Sequence, residues 1–398
     1  MARPRAEDSP MRRVVSVVVL GLLSISIASG AAASNRKTVD PKLKVLAHFQ
    51  FFGGTEVAFS GHYAYVGQMD GHTDRGQLPD QGGVNIYDVS TNTPRYISSV
   101  HCPGNDNDVE VVRPGLIALG YATNRCASGQ GVTLIDVRRP AHPRLLGHVN
   151  VPSSHTITPY PGKSLLYVSP GGLAYAGGPE QVVDVSDPQA PKVVATFQTD
   201  QNGCHDFSFH ISSTQKLGFC AGESGVFIFD VSKPTAPTLL ARIVNPAMQF
   251  GHFALASPDG KTLAINDEAF VAHDCSTGQS PTGAVWFYDI TDPTKPMPIG
   301  HFSPPRGPQM IGSYAGWTQS WCTSHQFDWI SNNLLVVPWY AGGVSILDVT
   351  DPSMVHEVAS YDPKNTISYS SQYDDLNGRV FVTDMNRGLT ILDLNGAR

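Results

Sequence analysis

The chain is short of charge: Asp, Glu, Lys and Arg make up only 15% of its 398 residues. Long surface helices need charged outer faces, so a mostly helical protein is not expected. The 27 Lys and Arg are scattered through a chain of net charge -7, which leaves no basic stripe to meet phosphates and excludes nucleic acid as a partner. No C-x-x-C pair occurs, which argues against a thiolate zinc site. Signatures of the form G-x-S-x-G, H-E-x-x-H or a phosphate loop are missing from any supporting context. After residue 33 no apolar run is long enough to cross a bilayer, so no transmembrane span is expected in the mature chain.

What is abundant points elsewhere. With 38 Gly, 30 Pro and 41% hydrophobic residues, the composition suits many short strands joined by tight turns. Residues 1–33 read as a signal peptide: Arg12 and Arg13 precede an apolar run over residues 14–28, and Ala31, Ala32 and Ala33 supply the small residues a signal peptidase needs. The run falls short of the ~20 residues of a comfortable span and contains Ser16, Ser24 and Ser26, which favours cleavage over the alternative of an uncleaved anchor. Residues 34–41 follow as a short linker and residues 42–398 as a single domain. The mature protein is expected to be secreted or associated with the cell envelope, and monomeric. All 6 cysteines (Cys102, Cys126, Cys204, Cys220, Cys275 and Cys322) lie in that part, and an even count in an exported chain favours disulfides over free thiols.

Internal repetition is the strongest signal. One pattern recurs at residues 84–90 (VNIYDVS), 132–137 (VTLIDV), 182–186 (VVDVS), 226–232 (VFIFDVS), 285–291 (VWFYDIT), 344–350 (VSILDVT) and 389–394 (LTILDL). Its aspartates (Asp88, Asp136, Asp184, Asp230, Asp289, Asp348 and Asp393) are spaced by 45 to 48 residues, except for two gaps of 59. That period suits a four-stranded blade. The apolar residues of each segment form a strand buried between neighbours, the Asp accepts hydrogen bonds from turn amides, and the Pro that follows most segments fixes the bend. Two further strands precede each segment, as in residues 55–60 (TEVAFS) and 63–67 (YAYVG), and a fourth follows it.

Closure supplies an independent check. The last repeat has no outer strand after it, whereas residues 43–51 (LKVLAHFQF) look like an outer strand without a blade of its own. Pairing the two completes the last blade and removes an open sheet edge. The expected fold is therefore all-β, a seven-bladed β-propeller with the last blade closed by the N-terminal strand. The segments VVDVSDP, IFDVSKP, FYDITDP and ILDVTDP resemble the LVIVD repeat of exported bacterial and archaeal proteins, a β-propeller family, over essentially the whole mature chain. The resemblance implies fold. It carries no catalytic motif and implies no common reaction.

Within this fold the cysteines sort into pairs on one face: Cys102 with Cys126, Cys204 with Cys220, and Cys275 with Cys322. The residue that opens each inner strand decides what the axis offers a ligand, and these residues read Glu56, Asp108, His155, His205, His252, His325 and a serine near Ser371. Four of the 14 histidines thus occupy equivalent places on consecutive blades. Converging neutral imidazoles suit a divalent transition metal, with Glu56 and Asp108 as further oxygen donors. Asp206, Glu110, Glu223, Asp267 and Glu268 are candidates for orienting the histidines. The stretches 268–283 and 303–323 are loop insertions on the same face, where Trp317, Trp321, Trp339 and Tyr340 could form an apolar or sugar-stacking wall, or else cover loop backbone. Two functions are carried forward: a scaffold binding a protein, glycan or small ligand on its disulfide-stapled, histidine-bearing face, and a metal-dependent hydrolase or oxidoreductase using the axial histidines.

Overall fold

A computed structural model describes residues 40–69, 71–73, 76–78, 82–102, 104–105, 108–121, 123–124, 130–171, 177–199, 203–222, 225–269, 283–305 and 322–394. The segment read as a signal peptide lies outside them. The architecture is all-β: seven four-stranded antiparallel sheets, plus two short ribbons that pair Gly71–Thr73 with Gly76–Leu78 and Gly104–Asn105 with Thr123–Asn124. Among the described residues no helix is long and apolar enough to cross a membrane.

Each sheet is one blade. The first strands of the seven blades, from the axis outward, are Gly54–Ser60, Asp108–Arg113, Thr156–Pro159, Asp206–Ile211, Gly251–Ala256, Asp328–Ser331 and Ser368–Asp374. The third strands are Gly83–Asp88, Gly131–Asp136, Glu180–Asp184, Gly225–Asp230, Val285–Asp289, Gly343–Asp348 and Gly388–Asp393, so every one ends on the aspartate of the repeat. In six of them the carboxylate accepts the backbone N–H two residues on, as in Asp230 Oδ1 to Ser232 N at 2.8 Å. This local hydrogen bond is why the strand stops there: the side chain offers the backbone a turn in place of the next ladder bond.

The core is divided among the blade interfaces. Alternate residues of one strand serve two neighbours: Leu335 and Val337 pack toward the fifth blade, while Val336 between them packs toward the seventh. A strand buried on both faces must be apolar throughout, which explains runs such as LLVV and VFIF. The ring closes through a cluster in which Phe381, Leu389 and Ile391 of the last blade meet Val57, Val66 and Tyr87 of the first. Across that seam the Arg379 guanidinium donates to Val89 O at 3.0 Å, Thr91 O at 2.9 Å and Asn92 Oδ1 at 3.0 Å.

The fourth strand of the last blade is Lys44–Phe49, paired antiparallel with Gly388–Asp393 from Lys44 opposite Asp393 to Phe49 opposite Leu389. Its register shifts between Val45 and Ala47. A bulge recurs between the third and fourth strands of the other six blades. The N-terminal strand is thus an outer strand in its irregularity as well as its pairing.

Candidate metal centre on the propeller axis

The axial side chains are placed by irregularities at the starts of the inner strands. His155 and His205 directly precede an inner strand and His325 lies just ahead of one, and each donates its backbone N–H to the second strand of its own blade: to Ser169 O at 2.9 Å, Ala221 O at 2.7 Å and Pro338 O at 3.0 Å. His252 is reached differently. In its blade Gly251 pairs with Asp267 and Phe253 with Asn266, leaving His252 as the extra residue of a β-bulge. A bulge re-aims a side chain without ending the strand. The same device acts in the last blade, where the register shift between Ser368 and Ser370 turns out Tyr369. Tyr369, and not the expected Ser371, is the residue that blade sets against the histidines: its ring centroid lies 4.1 Å from that of His325, while Ser371 donates its N–H to Gln326 O.

The four imidazoles form an arc. Ring centroids are 4.2 Å apart for His155 and His205, 4.0 Å for His205 and His252, and 4.0 Å for His252 and His325. The Nε2 atoms of His155 and His205 lie 2.7 Å from each other. All four rings are buried, at 2% to 5% exposure. His325 donates Nδ1–H to Tyr369 O at 2.7 Å, which fixes its tautomer and leaves Nε2 with a free lone pair. Burial, reinforced by the neighbouring imidazoles, holds His205 and His252 well below the usual histidine range, and burial brings His325 down to about 3. Neutral rings are the form that binds metals.

Glu268 completes the group. Its Oε2 lies 3.6 Å from His252 Nε2 and its Oε1 3.8 Å from His325 Nε2, while Tyr340 donates its hydroxyl to Oε1 at 2.5 Å. Donor atoms of His205, His252 and Glu268 all lie within 4.8 Å of one another, a grouping that could hold a metal ion. Two nitrogens bound to one ion at ~2.1 Å lie roughly 3 Å apart, so modest adjustment would bring these atoms into a coordination shell. His252 Nδ1 has no hydrogen-bond partner in the structure. Beside the rings, a small space of about 10 Å³, enough for one water-sized body, is lined by His155, His205, His252, Glu56 and Asp108.

Asp206 and Glu110 sit further along the axis, with Glu56 and Asp108, in a carboxylate cluster rather than behind the histidines. Burial pushes Asp108 up to about 7, and burial first, then like charge, raises Glu56, Glu110 and Asp206. Asp267 accepts the amides of Gln249 at 2.7 Å, Phe250 at 2.8 Å and Gly283 at 2.8 Å, and so pins the backbone on both sides of His252 and Glu268. Trp339 was expected on a ligand-facing wall. It is instead fully buried between the fifth and sixth blades, its indole N–H on Ser345 Oγ at 2.9 Å. Tyr340 is also buried, stacked on His325 at 5.2 Å as part of the centre. Glu223, Trp317 and Trp321 lie outside the described residues.

Cys204 and Cys220 form a disulfide, which ties the start of the His205 strand to the second strand of the same blade. Cys102 and Cys322 are disulfide-bonded as well, and their expected partners, Cys126 and Cys275, lie outside the described residues.

Comparison with known proteins bears on the scaffold. The LVIVD repeat family matches residues 54–72, the first two strands of the first blade. The chain fits an LVIVD-repeat propeller family. No curated protein matches it. Among solved structures the chain is similar to a chain of the COPII outer coat vertex on membranes, at 12% identity and TM-score 0.59, over 87% of this chain and 84% of that one. A chain of the COPII coat assembled on membranes gives the same identity and TM-score over the same share of this chain, which spans 46% of that one. Identity at this level carries the fold alone.

Proposed function

We propose that this protein is an exported propeller scaffold whose axis binds a divalent transition metal through His205, His252 and Glu268, with His155 and His325 completing the donor set. The observation that carries the reading is an arc of four buried imidazoles from consecutive blades, three of which, His205, His252 and His325, approach the one carboxylate of Glu268, with His252 Nδ1 left without a hydrogen-bond partner. A core built only for stability would place apolar side chains there, because unpartnered buried polar atoms are costly. Imidazole with carboxylate suits zinc, copper, iron or nickel. The adjacent one-water space suits a Lewis-acid or redox centre serving a hydrolase or oxidoreductase, with a small ligand reaching it from the disulfide-stapled face. Disulfides at Cys204, Cys102 and Cys322 support export, since such bonds persist outside reducing compartments.

Elemental analysis of protein purified without chelator tests the reading. About one transition-metal ion per chain is expected, lost in a His205→Ala/His252→Ala variant that still unfolds cooperatively. Metal-free wild-type protein, or a double variant that keeps its metal, would overturn it.

A further inference from the structure

Past the imidazoles, along the inner strands toward the turn at Pro161 and Gly162, the axis widens into a cavity of about 590 Å³. The carboxylates of Glu56, Asp108, Glu110 and Asp206 line it, and among the described residues no Lys, Arg or His does. Gln326 Nε2 donates to Asp206 Oδ2 at 3.3 Å, and the same side chain hydrogen-bonds Glu56. The amide nitrogen is thereby committed to these two carboxyl groups. Gln326 Oε1 is left with no donor, and so is Asp108 Oδ1, although the two residues are only 6% and 5% exposed. Two buried acceptors among the lining residues are therefore without a donor.

We propose that this cavity binds an organic ammonium ligand, an amine-bearing small molecule whose N–H groups meet Glu56, Asp108, Asp206 and Gln326 Oε1. A bare metal ion fits less well. Among the described residues, the group with three donor atoms mutually within 4.8 Å is the histidine one, so no three of these carboxylates stand close enough together to enclose a single dehydrated ion. An ammonium group offers several N–H donors on a carbon body and can bridge spaced acceptors through charge-assisted hydrogen bonds. The volume is that of a small-molecule site, and Val57, Ile157 and Phe207 in the walls suit the carbon part. The inference does not depend on a metal at the imidazoles, although Glu56 and Asp108 line both spaces.

Calorimetric titration of the purified protein with putrescine tests it, with 1,4-butanediol and calcium chloride as controls. Saturable one-site binding of putrescine is expected, with no heat from the diol. Affinity should fall roughly ten-fold or more in Asp108→Asn, which keeps an acceptor for Ile157 N–H, and in Glu56→Gln. Binding should persist in His205→Ala, so that this reading and the metal reading fail separately. No saturable heat from putrescine with folded wild-type protein, unchanged affinity in the two carboxylate variants, or binding of calcium in place of putrescine would each overturn the proposal. The wild-type titration decides even if a variant does not fold.

Discussion

Glu180, in the third strand of the third blade, has a carboxyl group sealed from solvent, accepting Cys204 N–H at 2.8 Å and Ser169 Oγ–H at 2.8 Å. Burial pushes it up to about 8. The folded chain therefore holds a proton that the unfolded chain gives up near pH ~4.3. Its contribution to stability is fully present below that value and is lost as pH rises through about 8. Denaturant unfolding at about pH 5 and about pH 9 should show wild-type protein losing stability that Glu180→Gln does not lose, and parallel behaviour would refute this assignment. At this scale the four axial histidines were legible, since each follows from its place in the repeat. Glu268 was legible only as an accessory, because its approach to His252 depends on a bulge and on Asp267 pinning the loop. Trp339 beside Tyr340 could not be placed from composition: adjacent residues point opposite ways, so one enters the core and the other the centre.

Strands are the elements that the repeat made visible, down to the aspartate on which each third strand ends. The assignment of Lys44–Phe49 to the last blade rested on the chain having one orphan outer strand and one incomplete blade, and the pairing bears it out. What the pattern did not reveal is where strands bulge, since a bulge adds a residue without changing hydrophobicity. Close packing of the third and fourth strands has its own requirement: a Cβ on Gly225 would sit 1.8 Å from Ile243 O, and one on Gly388 2.4 Å from Phe49 O. Deleting residues 40–50 would expose the Gly388–Asp393 edge and strip Leu46 and Phe49 from the closing cluster. The expected outcome is self-association, visible in light scattering, and a lower unfolding temperature. A monomeric, equally stable truncation would show that the strand does not close the ring.

Across the whole molecule, stability is distributed over seven similar interfaces, and the seam between the last and first blades is the one that no continuous chain segment reinforces apart from the N-terminal strand. Arg379 bridges it with hydrogen bonds to three different residues of the first blade. Arg379→Ala leaves Val89 O buried without this donor, while Thr91 and Asn92 stay open to water, and should cost about 2 kcal/mol in denaturant unfolding, whereas exposed Arg95→Ala should cost under ~1 kcal/mol. Equal effects would mean that the seam is not held in this way.

The sequence by itself determined the architecture, because a segment that must be apolar on both faces and recurs at near-constant intervals can bury itself only by stacking against copies of its own kind until the ring closes. It also placed a histidine at or just before the start of four consecutive inner strands. Only the tertiary structure decided how those residues meet. Contact at the axis joins side chains from different blades through bulges and loop anchors set by local geometry, so the carboxylate that reaches the imidazoles, the tyrosines that flank them and the acceptor-lined cavity beyond emerge only once the blades are assembled.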